Sequence, residues 1–235
     1  MTSRTDRISA GNDAAFDAYV AVPDAPNGRA VIVLQEIFGV TPAIRSVADR
    51  WAAEGYLALA PDLFWRIEPG ISLSHSKDDM ARASATMKRF DENASVGDIE
   101  STARYLREQP GFQGGVAVVG MCLGGKLAYL CSTRGSVDAA VSFYGVGIER
   151  YLAEAPAMRC PLLLHFAALD QYVPEEARNK VAAGLTAQPL ATIHVYPGAE
   201  HGFYTRGDTE TVRLAHQRTV DFLDRSLATT GAGRV

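Results

Sequence analysis

The chain is short of cysteine, of long apolar runs and of clustered basic charge, and each shortage closes off a class of protein. Three cysteines in 235 residues, Cys122, Cys131 and Cys160, are too few and odd in number for a disulfide framework, and none stands in a CxxC or zinc spacing. A reducing compartment fits that usage. No stretch reaches the ~20 apolar residues that a membrane-spanning helix needs, and the opening MTSRTDRISAGNDAAFDAYV lacks the apolar core of a secretory signal. A soluble cytoplasmic protein is expected. The 23 basic residues are scattered and the formal net charge is -4, which argues against a nucleic-acid or polyanion partner, since those need a basic patch. No histidine pair stands at metal-ligand spacing, and neither metal nor cofactor is expected. No repeat, low-complexity tract or linker interrupts the chain. With 47% hydrophobic residues it can bury one large core, so a single domain over residues 1–235 is expected. For oligomeric state a monomer is the default.

What is present is an alternation of short apolar runs and helical periods. Residues 14–22 (AAFDAYVAV) alternate apolar and polar as an antiparallel strand with one solvated face does. Residues 30–34 (AVIVL), 56–60 (YLALA), 116–119 (VAVV), 139–144 (AAVSFY) and 161–167 (PLLLHFA) are continuous apolar runs, the pattern of strands covered on both faces. Residues 191–196 (ATIHVY) read as the last strand. Helical periods fall over 42–54, 78–90, 95–109, 124–133, 174–185 and 209–227, the first with Thr41 as N-cap and Pro42 at its first position. Residues 64–77 lack a period and hold proline, glycine and serine, and read as a long loop over the sheet edge. This alternation specifies an α/β fold, a mainly parallel sheet with helices on both faces and ligands at the carboxyl ends of its strands.

Three residues stand at such ends. In Gly120-Met121-Cys122-Leu123-Gly124-Gly125 a buried strand runs into a glycine-bracketed cysteine and then a helix, a nucleophile elbow carrying sulfur. The pattern needs small residues two before and two after the nucleophile, here Gly120 and Gly124, because neighbouring backbone passes close to that turn. Asp170 follows PLLLHFAAL, and His201 follows the last strand across Pro197-Gly198-Ala199-Glu200. Nucleophile, acid, base is the order that an α/β-hydrolase sheet imposes. His201 takes the thiol proton and returns it to the leaving group; Asp170 holds the ring's tautomer. Cys122, at a helix N-terminus beside an imidazole, has a lowered pKa on this reading. Backbone N–H groups of Leu123 and Ile37 are the expected oxyanion donors. The bland readings are an N-cap at Asp170 and packed cores at Cys131 and Cys160. His165 and His194 are core groups, His75 and His216 solvated surface, and Phe38, Trp65 and Tyr144 either pocket lining or core.

The segments Gln35-Glu36-Ile37-Phe38-Gly39-Val40, Ala60-Pro61-Asp62-Leu63, Gly120 to Gly125, Phe143-Tyr144-Gly145-Val146-Gly147 and Gly198-Ala199-Glu200-His201-Gly202-Phe203 together resemble the dienelactone hydrolases, or carboxymethylenebutenolidases, from Val31 to Leu223. The resemblance implies a Cys-His-Asp hydrolase that opens a dienelactone from aromatic-ring breakdown to a maleylacetate-type acid through a thioester acyl-enzyme. It implies a role for Glu36 as a carboxylate that exchanges partners with the nucleophile, so that the thiolate forms when substrate arrives. It implies two arginines for the substrate carboxylate, at positions that fall here on Met80 and Thr205; Arg82 and Arg206 stand one or two residues out of register, ~100 to 200° around a helix. Phe38, Tyr144, Arg82 and Arg206 are the expected substrate-binding residues. The alternative is an esterase or thioesterase of the same fold with another small acyl substrate. More distant is a non-catalytic binding protein, because fold does not dictate activity.

Overall fold

The computed structural model describes residues 1–207 and 209–227, and its backbone packs as two compact units, Met1–Val116 and 117–227. The first unit opens with a hairpin, β1 (Thr2–Gly11) and β2 (Ala14–Val22). Asn12 and Asp13 turn it with φ of 49° and 59°, the double left-handed conformation that matches the twist of paired strands. Then come β3 (Ala30–Leu34), α1 (Pro42–Ala53), β4 (Leu57–Pro61), α2 (Lys77–Met87) and α3 (Glu92–Arg107). The strands lie in the order β1-β2-β4-β3, antiparallel at β1–β2 and β2–β4 and parallel at β3–β4. All five residues of β3 are buried, as its unbroken apolar run requires.

Helix starts in this unit follow their caps. Thr41 Oγ1 accepts from the Ile44 N–H, and Ile44, Val47, Ala48 and Trp51 form the buried stripe of α1. Helix α3 begins at Glu92, earlier than the apolar period suggests, because Asp91 accepts from both the Asn93 and Ala94 N–H groups. The long loop exists and is braced. The Asp62 carboxylate accepts from the Phe64 N–H at 3.0 Å and the Gly70 N–H at 2.7 Å, and burial pushes its pKa up. Trp65 donates to Asp98 at 2.9 Å and stacks on Phe16, so it clamps the loop to α3. Strand β1 escapes a sequence reading because its residues, apart from Ile8, present little buried apolar surface.

The second unit takes over one residue into β5 (Val116–Met121) and continues through α4 (Leu123–Arg134), β6 (Ala139–Phe143), β7 (Leu162–Ala167), α5 (Glu175–Leu185), β8 (Ala191–Tyr196), α6 (Phe203–Arg206) and α7 (Thr209–Ser226). Two short 3-10 turns, Ile148–Arg150 and Leu152–Ala157, link β6 to β7. The strands run in the order β5-β6-β7-β8 and every pairing is parallel. Met121 lies opposite Phe143, Phe143 opposite His165, and Ala167 opposite Tyr196. The strands therefore end nearly level, and the loops that follow β5, β7 and β8 leave from one edge. Ten of the twelve residues of α4 are buried, so this helix is interior.

Behind that edge His165 is fully buried, Nδ1 2.7 Å from the Tyr196 hydroxyl and Nε2 3.1 Å from Thr219 Oγ1. The Thr219 hydroxyl donates to the Ala215 carbonyl at 2.8 Å, so it accepts from His165 Nε2–H, and Tyr196 donates to Nδ1. Burial holds the His165 pKa well below its usual value, with His194 and Arg218 adding to the effect. The unfolded chain then binds a proton near pH 6.5 that the folded chain refuses. Above that pH both forms are neutral and nothing is lost; below it stability falls, at up to ~1.4 kcal/mol per pH unit from this group. Urea midpoints measured from pH 8 to 5 should drop along that slope, and His165→Gln should flatten it. His216 is not the solvated residue its sequence position suggests: it is half-buried, with Nδ1 2.8 Å from the Tyr204 hydroxyl.

Candidate active site

The turn after β5 concentrates the strain of the second unit. Cys122 sits at φ 54° and ψ -109°, a conformation that costs a non-glycine residue ~1–3 kcal/mol and persists only when its surroundings impose it. They do so here through the backbone. The Cys122 N–H donates to the Phe143 carbonyl at 3.0 Å, and its own carbonyl accepts from Lys126 at 3.2 Å and Val146 at 3.4 Å. A Cβ on Gly120 would stand 1.9 Å from the Gly124 carbonyl oxygen, and one on Gly125 would stand 2.7 Å from that of Phe143. The close approaches thus explain Gly120 and Gly125, while Gly124 contributes the backbone that crowds Gly120. Gly120→Ala is expected to cost upwards of ~3 kcal/mol of stability, because the obstructing atom is backbone and cannot step aside; the urea midpoint reads this directly.

Asp170 is buried and all its bonds converge. Oδ1 accepts from the N–H groups of Tyr172 at 2.8 Å and Val173 at 3.0 Å, and Oδ2 lies 2.8 Å from His201 Nδ1. It does not cap α5, which starts at Glu175 behind Pro174 with no side-chain cap. The carboxylate instead closes its own turn and presents one oxygen to the imidazole. The His201 side chain is 10% exposed and the Asp170 side chain 0%. Two tyrosine rings meet the imidazole edge-on, Tyr144 and Tyr172, each with its centroid 4.8 Å away. Tyr144 is itself held at φ 41°, its N–H donating to the His165 carbonyl at 2.7 Å. Adjacent residues 143 and 144 thus touch both the Cys122 backbone and the His201 ring. With Nδ1 committed to Asp170, Nε2 is the edge of the ring available for proton exchange.

The strained cysteine elbow, the braced carboxylate and its histidine stand on the loops after β5, β7 and β8, and the model of the dienelactone hydrolase family matches residues 16–227. The chain belongs to the dienelactone hydrolase family. Its fold is therefore the α/β-hydrolase fold, and it is a hydrolase of the class that acts on lactone and ester bonds. The carboxymethylenebutenolidase of Pseudomonas putida is 38% identical over 88% of this chain and 90% of its own length. That of Pseudomonas sp. strain P51 is 36% identical, covering 93% of each chain. The solved dienelactone hydrolase of Anabaena variabilis superimposes with a TM-score of 0.72 over 96% of this chain and 98% of that one, at 17% identity, a likeness of fold.

For a chain of the dienelactone hydrolase family the remaining candidates fall in different places. Glu36, Ile37 and Phe38 occupy the turn after β3, closed by a Gly39 N–H bond to the Glu36 carbonyl at 3.4 Å; Glu36 and Phe38 are buried and Ile37 is half-buried. Arg82 lies on an exposed face of α2 in an ion pair with Glu68. Arg206 is exposed, folds back over Gly202 and donates from Nη1 to Thr205 Oγ1 at 3.1 Å. It lines an open depression of about 370 Å³ together with Glu200, His201 and Phe203. Leu123 is the first residue of α4, so no carbonyl four residues back within the helix takes its N–H. Tyr172 was missed by sequence reasoning, and no motif marks it. No helix among the described residues is long and apolar enough to cross a membrane.

Proposed function

We propose that Cys122 is the nucleophile, His201 the general base and acid, and Asp170 the carboxylate that orients the ring, in a hydrolase that opens a lactone or a small activated ester through a thioester. The observation that carries this reading is the 2.8 Å bond between His201 Nδ1 and an Asp170 carboxylate already braced by two N–H groups. Such a carboxylate fixes one tautomer and leaves Nε2 as the acceptor for a thiol proton. The thiolate adds to the carbonyl carbon, and the oxyanion is met by the Leu123 N–H at the positive end of α4. As the carbon–oxygen bond breaks, the alkoxide takes the Nε2 proton. Water, deprotonated by the same nitrogen, then cleaves the thioester to the acid and restores the thiol.

The family resemblance adds the Ile37 N–H as second oxyanion donor and Glu36 as the carboxylate governing when the thiol ionises. Phe38 and Tyr144 are the apolar lining, and dienelactone is the first substrate to try, with the cytoplasm as the place of action. An esterase or thioesterase of the same fold is the second reading, and the pairing of Arg82 with Glu68 favours it, because that pair must open before Arg82 can hold a substrate carboxylate. Kinetics on dienelactone and its carboxylate ester separate the two: a dienelactonase loses efficiency on esterification, a general esterase does not.

The nucleophile assignment is tested by acid-quenching the enzyme during turnover of nitrophenyl acetate and mapping the acetyl mass, expected on Cys122. Cys131 and Cys160 are buried, and burial, aided by Asp138, pushes the Cys160 thiol up to about 12. Iodoacetamide at neutral pH is accordingly expected to modify Cys122 alone until the protein is unfolded. Acetylation of another residue, or none, would sink the assignment.

A further inference from the structure

The two large hydrophobic side chains most exposed to solvent among the described residues flank the acid of the site, Leu169 at 62% and Tyr172 at 52%. Their loop is tethered by four main-chain N–H groups. The Ala168 N–H donates to the Tyr196 carbonyl at 3.0 Å, the Leu169 N–H to the Ala199 carbonyl at 2.9 Å, and the Tyr172 and Val173 N–H groups to Asp170 Oδ1. A tethered loop therefore presents apolar surface to water, and does so where the Tyr172 ring stands edge-on to His201 at 4.8 Å. Apolar surface fixed in that position invites an apolar ligand.

Which part of a substrate meets it follows from the proton transfer. In the proposed transfer Nε2 passes its proton from the sulfur to the departing oxygen, so a group bonded to that oxygen has to lie beside the imidazole. Of the two tyrosine rings against His201, Tyr144 is buried whereas Tyr172 is open to solvent. Leu169 and Tyr172 carry no charge themselves, and the two arginines beside this loop and His201 are engaged, Arg178 donating to the Val173 carbonyl at 2.8 Å and Arg206 to Thr205 Oγ1 at 3.1 Å, so the surface offered suits a neutral group. We propose that Leu169 and Tyr172 form the leaving-group subsite, taking the neutral alkyl or aryl part of the alcohol released as Nε2 protonates its oxygen. The subsite rests on the assignment of Cys122, Asp170 and His201 above.

The test uses n-alkyl methoxyacetates from methyl to hexyl, activated esters with no group that a thiolate can displace at the α-carbon, whose alcohols differ little in acidity, so that the chemical step stays constant while apolar length grows. Wild-type kcat/KM is expected to rise roughly twofold per methylene, about 30-fold across the series, as a half-exposed rim shields part of each added group. Leu169→Ser, and Leu169→Ser with Tyr172→Ser, should lower the hexyl-to-methyl ratio at least ~10-fold. A purely structural role would lower both esters together and leave the ratio unchanged, which overturns the subsite. So does a flat wild-type series, or the same rise when the acyl chain is lengthened instead of the alcohol. Sedimentation covers the rival occupant: a wild-type dimer that Leu169→Ser converts to monomer with no change in ratio makes the rim a self-association face. Cys122 acylation by every ester with a flat series defeats the subsite alone, whereas absence of acylation defeats the triad and the subsite with it.

Discussion

Cys122→Ala is expected to lower kcat by roughly 10⁴ to 10⁶ while leaving the fold in place. The magnitude is that of removing the nucleophile from an interdependent triad, where what survives comes from oxyanion donors and substrate binding. The selectivity comes from the backbone. Alanine keeps the Cβ and with it the strained φ of 54°, and the three bonds that hold the turn, to Phe143, Lys126 and Val146, are all made by main-chain atoms. Only the sulfur is lost, so thermal stability should stay within ~1 kcal/mol of wild type. Cys122→Gly, by contrast, should be slightly more stable, since glycine adopts this conformation without penalty. Both variants should be equally inactive and should give no acetylated intermediate after a quench. Substantial turnover in the alanine variant would remove sulfur from the mechanism, and a collapse of stability would show that the thiol is a packing group.

The parts of this molecule that were readable in advance are those whose burial leaves one choice of residue. The runs AVIVL and LLLHFA are buried over every strand position, and a strand covered on both faces has to be apolar throughout. The elbow was readable for a related reason: a cysteine followed by helix and preceded by Gly120 leaves a pattern because backbone packs at 1.9 Å from a hypothetical Cβ. Strand β1 was not readable, since its stability comes from pairing with β2 rather than from its own side chains. Asp170 and His201 were legible as an order along the chain, but the brace on Asp170 was not: turn bonds from Tyr172 and Val173 use main-chain donors, which every sequence possesses. Tyr172 stayed hidden because an exposed tyrosine in a loop carries no period, and its meaning comes from the ring it touches. Arg82 and Arg206 look alike in sequence; one is engaged by Glu68, while the other folds over Gly202 at the rim of a depression beside His201.

Asp170→Asn is the sharpest probe of how the imidazole is controlled, and a loss of about 10⁴ in kcat is expected from a change that is nearly isosteric. The amide oxygen can keep the two bonds from Tyr172 and Val173, now made to Oδ1 at 2.8 and 3.0 Å. That choice turns the amide nitrogen toward His201 Nδ1, where Oδ2 stands at 2.8 Å. Two donors cannot share that bond, so Nδ1 becomes the acceptor and the ring proton moves to Nε2. The base is then blocked at the nitrogen that has to receive the thiol proton. Stability should change little because the turn survives, whereas Asp170→Ala strands two main-chain donors and should cost ~1–3 kcal/mol as well as activity. Comparing the pair separates the carboxylate's two duties. If the residue only braces its loop, the asparagine variant, with the brace intact, will turn over esters at the wild-type rate and the triad will lose its acid. If it sets the tautomer, asparagine will be stable and inactive, and Nδ1 will shift in a ¹⁵N spectrum from a protonated to an unprotonated nitrogen.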